Sequence, residues 1–339
     1  MRAIVLVGGF GTRLRPLTYD TPKPLLPIGN RPILEHIVAR LARSGVDEVV
    51  LSLGFRPDAF RDAFPDGRCA GIPLVYAVEP EPLDTAGAIR FAADYAQVDD
   101  TFAVLNGDVL TSLDLSKLIA FHRAANAEAT LHLTPVDDPS AFGVVVTTPE
   151  GRVTTFVEKP PRDEAPSNTI SAGSYVLEPS VLERIPRGRK FSIERDVFPK
   201  IVADHRLFAM VTDDYWVDTG KPDTYLQANL DLLDGRFRSD VSTEIDGSSA
   251  APAQVHAKAV VRRSVIGNGA RVDDGATVVD SVLLDGVHVA SGASVTGSLV
   301  GARSVIGSGA NVIGLSVVGN DVDIAAGTAL DGARVPEPT

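Results

Sequence analysis

At 339 residues the chain is long enough to form two domains with substantial cores, and its apolar content of 44% is ordinary for a globular protein. A net charge of −12 argues against a nucleic-acid partner, because a broad nucleic-acid surface needs an excess of lysine and arginine. The single cysteine excludes an internal disulfide framework. The sequence also shows neither a membrane span nor a secretory signal, so we expect a cytoplasmic protein with no membrane partner.

Predicted strands and helices alternate over the first third of the chain. Aliphatic runs predict strands at 3–7, 48–53, 74–78 and 102–105. Apolar residues at helical spacing predict helices at 31–44, 57–64 and 85–95. This alternation favours right-handed βαβ units and a Rossmann-like, mostly parallel α/β sheet. Residues 129–212 are rich in predicted strands, which indicates a lobe added to that sheet, and 222–233 predicts a closing helix.

A six-residue repeat begins near residue 255. Aliphatic residues recur every six positions, with small residues close by, as in Val300, Ile306, Val312 and Val318. This period is typical of a hexapeptide parallel β-helix, in which three hexads form one triangular coil, so we expect roughly four coils. The predicted organisation is a first domain at 1–237, a linker at 238–254, a β-helix at 255–331 and a tail at 332–339.

The first predicted strand ends in a glycine-rich loop, Val7-Gly8-Gly9-Phe10-Gly11-Thr12-Arg13-Leu14-Arg15-Pro16-Leu17-Thr18, followed by Pro22-Lys23-Pro24-Leu25. Glycine lets backbone amides approach an anion, and the cations in and after the loop add positive charge, so the segment predicts a polyphosphate site. A dinucleotide fingerprint does not fit, because Leu14 occupies its third glycine position, and a Walker loop lacks its Gly-Lys-Ser/Thr.

This segment closely resembles the signature of the sugar-1-phosphate nucleotidylyltransferases. The resemblance implies that Arg13 and Lys23 are catalytic, with Arg13 on the leaving β,γ-phosphates and Lys23 on the α-phosphate. It also implies a GT-A-like first domain and a left-handed β-helix, and it is strongest to bacterial mannose-1-phosphate guanylyltransferases with a C-terminal hexapeptide repeat. The implied nucleotide-binding residues of the loop are Val7, Gly8, Gly9, Gly11, Thr12 and Arg13.

Two aspartates match the positions where this family places its magnesium ligands. Asp108 follows the predicted strand at 102–105, and Asp218 lies in Tyr215-Trp216-Val217-Asp218-Thr219-Gly220. Hard carboxylate oxygens suit Mg²⁺, which bridges phosphate oxygens while it keeps some of its waters. We therefore expect Mg²⁺ as the cofactor.

The segment from Glu79 to Gly87 resembles the family's nucleobase-binding loop. Relatives that use pyrimidine nucleotides tend to have glutamine in this region, whereas this chain has Glu79 and Glu81. A carboxylate only accepts hydrogen bonds, which matches the adjacent N1–H and N2–H donors of guanine, so we favour GTP over other nucleotides. The predicted nucleotide-binding residues here are Glu79, Glu81, Thr85, Ala86 and Gly87.

Three further segments resemble the family's sugar-phosphate motifs. The predicted binding residues are Asn106, Gly107, Gly143, Glu158, Lys159, Ser171 and Gly173. Lys159 would bind the phosphate and Glu158 the ring hydroxyls. Ser171 stands where the family usually has asparagine, and Asp84 where glycine is frequent, so the resemblance identifies the reaction more closely than the sugar.

The implied reaction is the transfer of a nucleotidyl group from GTP to a sugar 1-phosphate, with mannose 1-phosphate favoured and other nucleotides, sugars or cyclitols as alternatives. A second hypothesis is a non-catalytic, regulatory nucleotide-sugar-binding paralogue. A third is acyl transfer, which His256 and His288 support poorly because neither lies in an acetyl-CoA motif. We also expect a homo-oligomer, a dimer or tetramer, that assembles through the β-helix.

Overall fold

The computed structural model describes residues 1–54, 56–241 and 253–338, so most of the predicted linker at 238–254 lies outside the described residues. The chain divides into two compact units, one of Met1–Gly9 with Ile37–Trp216 and one of Phe10–His36 with Val217–Thr339. The segment after the first strand therefore groups with the C-terminal part of the chain. The domain bounds that the sequence suggests stay a prediction.

A ten-stranded sheet forms the core of the first unit among the described residues. Four adjacent strands in this sheet run parallel to one another, in the order Phe102–Asn106, Arg2–Leu6, Glu48–Leu53 and Ile72–Val78. Ile4 and Val50 are fully buried within these strands, in one core cluster with Ala86 and Ile89 of the helix Asp84–Tyr95. The expected parallel α/β core is confirmed.

The strand-rich segment extends this sheet mainly with antiparallel pairs, and only Leu207–Val211 pairs parallel, with Ala129–Pro135, among the described strands of the segment. Thr169–Leu177 pairs antiparallel with Phe102–Asn106, and its pairing with Ala129–Pro135 shifts register between Ser171 and Tyr175. The remaining strands of the sheet are Arg68–Cys69, Gly143–Thr147, Val153–Glu158 and Leu207–Val211.

Three α-helices before residue 217 agree closely with the predicted ones, which are Ile33–Arg43, Pro57–Ala63 and Asp84–Tyr95, whereas the later helices of this part were not predicted. Asp84–Tyr95 packs its small residues Ala86 and Ala92 into the core, and Asp114 caps Leu115–Ala124 by accepting a hydrogen bond from the Ser116 amide. The other α-helices before residue 217 are Ile33–Arg43, Pro57–Ala63, Ser180–Glu183 and Phe198–Ala203, with a 3₁₀ turn at Arg162–Glu164 and a π-helical turn at Ile193–Val197. None of the helices within the described residues has the length and apolarity that crossing a bilayer requires.

His132 in the strand Ala129–Pro135 makes the folded first unit sensitive to acid. It has no exposed surface, and burial lowers the pKa of its imidazole from 6.5 to about 4 against a weak opposing effect of Asp214. Below pH 6.5 the unfolded chain binds a proton that the folded chain does not, so the free energy of unfolding falls as the pH drops towards 4.

We expect a loss of about 1.4 kcal/mol per pH unit in that window from this group alone. Urea unfolding at pH 7, 6 and 5 measures it, with His132→Gln as the matched variant that lacks the titrating ring. Parallel pH profiles for the two proteins would show that the ring does not stay neutral in the folded state.

A parallel β-helix dominates the second unit. Its described strands form three parallel sheets of five strands each. The first sheet contains Gln254–Val255, Arg271–Val272, His288–Val289, Val305–Ile306 and Asp323–Ile324. The second contains Val260–Arg262, Thr277–Val279, Ser294–Thr296, Asn311–Ile313 and Ala329–Asp331. The third contains Val265–Ile266, Val282–Leu283, Leu299–Val300, Val317–Val318 and Arg334–Val335.

The repeat and the three stacked sheets confirm the predicted hexapeptide fold, consistent with a left-handed β-helix. Val272 pairs with Val289 and Val289 with Ile306, and all three are buried in the core of the helix. The five strands in each sheet exceed the roughly four coils expected, because Gln254–Val255 begins within the predicted linker and Arg334–Val335 lies within the segment predicted as a tail. Glycine is required at corners such as Gly301, where a Cβ would collide with the backbone of Gly319 in the next coil.

Residues 10–36 pack within the second unit against the helix Pro222–Leu233 and the β-helix. The Tyr225 hydroxyl donates to the Pro27 carbonyl at 2.5 Å, and Asn229 Oδ1 accepts from the Gly29 amide at 3.0 Å. Asn30 Nδ2 donates to the Ile266 carbonyl at 3.0 Å. The segment itself consists of two 3₁₀ turns and a short hairpin, Thr12–Leu14, Lys23–Leu25, Pro27–Ile28 and Arg31–Pro32.

Candidate active site

The end of the glycine-rich loop folds closely onto the Lys23 segment. Gly11 has a φ of 62°, and a Cβ there would lie 3.1 Å from Thr18 Cγ2 and 3.2 Å from Lys23 Cβ. The Thr18 hydroxyl donates to the Gly11 carbonyl at 2.8 Å. Glycine is therefore needed for both the left-handed backbone and the close approach.

Lys23, Arg13 and Asp218 form a charged cluster in the second unit. The Lys23 side chain is 6% exposed, and its Nζ lies 3.5 Å from Asp218 Oδ1. Arg13, which is 56% exposed, places Nη2 3.9 Å from Asp218 Oδ2. A buried ammonium is costly unless an opposite charge faces it, and Asp218 provides that charge. Three of the four residues predicted to act on phosphate or metal are thus brought together.

The backbone after Asp218 fits this cluster. The Gly220 amide donates to Asp218 Oδ1 at 2.7 Å. A Cβ at position 220 would collide with Arg13 Nη2 and would lie 2.7 Å from Asp218 Oδ1, so a side chain there would displace the guanidinium. Gly220 was not among the predicted site residues, although it belongs to the motif that contains Asp218.

A second group of predicted residues meets in the first unit where Phe102–Asn106 ends. The Gly107 amide donates to the Leu6 carbonyl at 2.9 Å, and a Cβ at position 107 would lie 2.5 Å from Val7 Cγ1. Gly173 has a φ of 74°, and a Cβ there would lie 2.6 Å from Asn106 Nδ2. Asp108 follows directly and is half-buried.

Glu79 is built into the first unit through both carboxylate oxygens. Oε1 accepts from the Ser52 hydroxyl at 3.0 Å, and Oε2 accepts from the Leu83 amide at 3.1 Å. Oε1 also lies 3.6 Å from the position that a Cβ on Gly8 would occupy. Glu79 therefore fixes the loop up to Leu83 beside the first glycines, whereas Glu81 is exposed.

The predicted residues Thr85, Ala86 and Gly87 contact the segment 189–194 of the same unit. The Thr85 hydroxyl donates to Glu194 Oε2 at 2.7 Å, and the amides of Ala86 and Gly87 both donate to the Phe191 carbonyl. A Cβ at Gly87 would lie 2.5 Å from the Arg189 carbonyl oxygen. These contacts give the three residues a structural role, and their ligand role remains a prediction.

The sugar-phosphate motifs also meet in the first unit. Gly143 pairs with Glu158, and Lys159 Nζ lies 3.1 Å from Glu158 Oε1. Lys159 has a φ of 51°, a left-handed backbone conformation that is strained for a lysine, and its side chain is half-exposed beside the strand end at Glu158. Trp216 is a residue that sequence reasoning missed. Its ring packs edge-on against Phe142 at 5.4 Å between ring centres, and its Nε1 donates to the carbonyl of Ala172, beside Ser171.

Arg334, within the predicted tail, is a second missed residue. Its Nη1 donates to the carbonyls of Arg13 at 3.0 Å and Arg15 at 3.1 Å. The last strand of the β-helix therefore holds the backbone that presents Arg13. No local sequence signal indicates this contact, because 321 residues separate the two arginines.

The two predicted metal ligands suit a hard cation. Asp108 and Asp218 each offer carboxylate oxygens, and the described residues contain no group of three or more His, Cys, Asp or Glu side chains that could hold a metal alone. Mg²⁺ is commonly bound by one or two carboxylates together with substrate phosphates and water, so the carboxylate of Asp108 in the first unit and that of Asp218 in the second each suit it.

Comparison with protein families matches residues 2–235 to a model described as nucleotidyl transferase and residues 248–338 to one described as GMPPB C-terminal domain. A mannose-1-phosphate guanylyltransferase of Mycobacterium tuberculosis is 40% identical over 80% of this chain and 77% of its own length. A probable mannose-1-phosphate guanylyltransferase 1 of Oryza sativa is 45% identical over 67% of this chain, and this chain spans only 63% of that relative.

Among solved structures, HddC from Yersinia pseudotuberculosis complexed with GMP-PN is 30% identical, with a TM-score of 0.58 over 68% of this chain and 99% of that one. A putative glucose-1-phosphate thymidylyltransferase from Bacillus anthracis is 26% identical, with a TM-score of 0.63 over 71% of this chain and 98% of that one. The family match, the relatives and the charged cluster agree, and the chain belongs to the nucleotidyl transferase family.

Proposed function

We propose that this chain is a sugar-1-phosphate guanylyltransferase, which transfers GMP from GTP to mannose 1-phosphate and releases pyrophosphate. The observation that supports this most is the buried Lys23 ammonium beside Asp218 and Arg13, on the segment that resembles the family signature. The names of the relatives, and the structural neighbour complexed with GMP-PN, favour the same substrates.

In the proposed reaction, a phosphate oxygen of the sugar 1-phosphate attacks the α-phosphorus of GTP. The new P–O bond forms as the bond to the β-phosphate oxygen breaks, and pyrophosphate leaves with that electron pair. Lys23 would neutralise charge that develops on the α-phosphate, and Arg13 would hold the β,γ-phosphates. Such catalysis depends on position and electrostatics and needs no covalent intermediate.

Asp108 and Asp218 would hold the Mg²⁺ ion. When bound, the ion would supply positive charge to the phosphate oxygens. Lys23 and Gly220 orient the Asp218 carboxylate, because the Lys23 ammonium lies 3.5 Å from Oδ1 and the Gly220 amide donates to the same atom.

The sugar phosphate would bind along Asn106, Gly107, Gly143, Glu158, Ser171 and Gly173, with Lys159 on its phosphate. Because serine has a shorter reach than the usual asparagine at position 171, this residue is the first candidate for a difference in sugar preference. The names of the relatives favour mannose 1-phosphate as the sugar substrate. Comparing its kcat/KM with those of glucose, heptose and cyclitol phosphates tests that choice.

The direct test incubates the full chain with Mg²⁺, mannose 1-phosphate and each of GTP, ATP, UTP and dTTP, and follows the nucleotide sugar and pyrophosphate. We expect GDP-mannose as the main product. Nucleotide binding without turnover would point instead to a regulatory paralogue, and efficient turnover of another nucleotide would contradict the assignment of GTP.

Glu79→Gln is expected to reduce the preference for GTP over ATP. If the carboxylate accepts from guanine, its loss should lower kcat/KM for GTP by about tenfold to a hundredfold, as expected for a hydrogen bond to a charged group. The ratio of kcat/KM for GTP and ATP measures this, with the exposed Glu81→Gln as the paired variant. An unchanged ratio in both variants would remove these glutamates from base recognition.

We also propose that the chain forms homo-oligomers through the β-helix. Its first coil presents Val255 and Val260, which are 45% and 52% exposed, on strands that pair on one side only within the described chain. Exposed apolar residues on an open edge favour association with another copy. Sedimentation velocity should show a dimer or tetramer, and a Val255→Lys, Val260→Lys double variant should shift it towards monomer. A wild-type monomer at micromolar concentration would contradict the proposal.

A further inference from the structure

The second unit contains a cavity of about 520 Å³ beside the predicted catalytic Arg13. This volume lies within the usual range for small-molecule sites, roughly 300–1,000 Å³. The lining comes from the 3₁₀ turn with Arg13, from the start of the helix Pro222–Leu233 and from the last coils of the β-helix. The residues that line it are Arg13, Lys221, Pro222, Asp223, Gly314, Leu315, Gly332 and Arg334.

Positive charge dominates this lining. Three of the side chains are cationic and only Asp223 is acidic, in a chain whose net charge is −12. Among the residues that the structure describes, neither the Lys221 ammonium nor the Arg334 guanidinium forms an ion pair with a carboxylate. Two cations without acidic partners at one cavity are costly in mutual repulsion unless an anion joins them.

The start of the helix Pro222–Leu233 and the position of Arg334 also favour an anion in this cavity. Lys221 immediately precedes the 12-residue helix Pro222–Leu233, and the N-terminal end of a helix attracts anions. Arg334 uses Nη1 for the carbonyls of Arg13 and Arg15, which holds its guanidinium at the cavity wall. A guanidinium held in this way loses less rotamer freedom when it binds a phosphate.

We propose that this cavity binds inorganic pyrophosphate, the leaving group of the reaction, through Arg13, Lys221 and Arg334. This inference rests on the proposed function, in which Arg13 already holds the β,γ-phosphates. No aromatic side chain lines the cavity, so a nucleobase would find no stacking partner there, and a small polyvalent anion fits the lining better than a second nucleotide. The β-helix therefore contributes Arg334 to product binding as well as to the loop that presents Arg13.

The test compares Lys221→Gln with wild type in the full chain. We expect the inhibition constant of pyrophosphate in the forward reaction to rise at least about fivefold, as expected for the loss of one charge-assisted contact at a partly exposed site. The KM for GTP should rise with it, because Arg13 holds the same two phosphates in GTP. Lys258→Gln, which removes another exposed lysine of the second unit, serves as the control and should leave both constants unchanged. Arg334→Lys should raise the inhibition constant less than Arg334→Ala, because it keeps the charge.

Titration calorimetry with pyrophosphate provides a readout that does not need turnover. Wild type should bind pyrophosphate, and Lys221→Gln should weaken that binding by a similar factor. Binding that depends on Lys221 in a protein without guanylyltransferase activity would refute the proposed function but not the anion site. An inhibition constant and a calorimetric affinity for pyrophosphate that Lys221→Gln leaves unchanged would overturn the pyrophosphate site.

Discussion

Lys23→Met is expected to lower kcat by at least about a hundredfold, the cost typical of removing one group that stabilises transition-state charge in a closed site. The Lys23 side chain is almost fully buried, with its Nζ 3.5 Å from Asp218 Oδ1. A cation in such a place, with little water around it, acts on phosphate charge with little dielectric screening. Methionine keeps most of the side-chain volume, so the change removes the charge without leaving a large cavity.

The variant should still fold. Asp218, which loses its closest cation, is 24% exposed and has Arg13 3.9 Å away, so its carboxylate can be hydrated and partly compensated. We would measure kcat at saturating GTP and mannose 1-phosphate, together with the thermal unfolding temperature. Lys117→Met, at an exposed position of the helix Leu115–Ala124, is the matched control and should behave as wild type. Turnover within tenfold of wild type would remove Lys23 from the reaction.

The fold was largely predictable because both parts have strong, short-range periodicity. Parallel strands that are buried on both faces appear as continuous aliphatic runs, and Glu48–Leu53 was predicted with its observed bounds. The β-helix repeats a local rule every six residues, so its core could be seen without knowledge of distant contacts. The strand Arg334–Val335 was missed because the six-residue spacing of aliphatic residues stops before it: position 336, six after Leu330, is a proline.

The sequence allowed a prediction of which residues bind phosphate or metal, and that prediction stays untested, but it did not indicate which of them meet. Lys23 and Asp218, predicted to bind phosphate and metal, are in contact across 195 residues of sequence. The partners of Glu79 and Thr85, which are Ser52 and Glu194, likewise lie 27 and 109 residues away. These contacts arise from the packing of elements that are distant in sequence, so local composition and residue spacing do not predict them.

Asp84 shows how a departure from a family pattern acquires a physical reason. Glycine is frequent at this position, and the residue has a φ of 60°, a left-handed conformation that glycine adopts without strain. Aspartate is among the residues that tolerate this region best, and its Oδ1 accepts a hydrogen bond from the Thr85 amide at 2.8 Å. The departure therefore preserves the start of the helix Asp84–Tyr95.

Asp108→Asn is expected to lower the rate at limiting Mg²⁺ by at least about a hundredfold and to raise the Mg²⁺ concentration required for half-maximal rate. Asparagine keeps the shape and one oxygen of the side chain but loses the negative charge that a hard dication prefers. The residue is half-buried after the strand Phe102–Asn106, so a substitution of equal size should leave that strand in place.

Two measurements separate a metal ligand from a residue that merely supports the strand end. Metal-dependent turnover should recover in part at high Mg²⁺ in Asp108→Asn, and the affinity for Mn²⁺, measured by electron paramagnetic resonance, should fall in the same variant. Asp100→Asn, at an exposed position ahead of the same strand, is the control for loss of one negative charge and should change neither property. A normal Mn²⁺ affinity together with a normal Mg²⁺ dependence in Asp108→Asn would assign the metal to other ligands, because a carboxylate that binds the ion directly cannot lose its charge without weakening that bond.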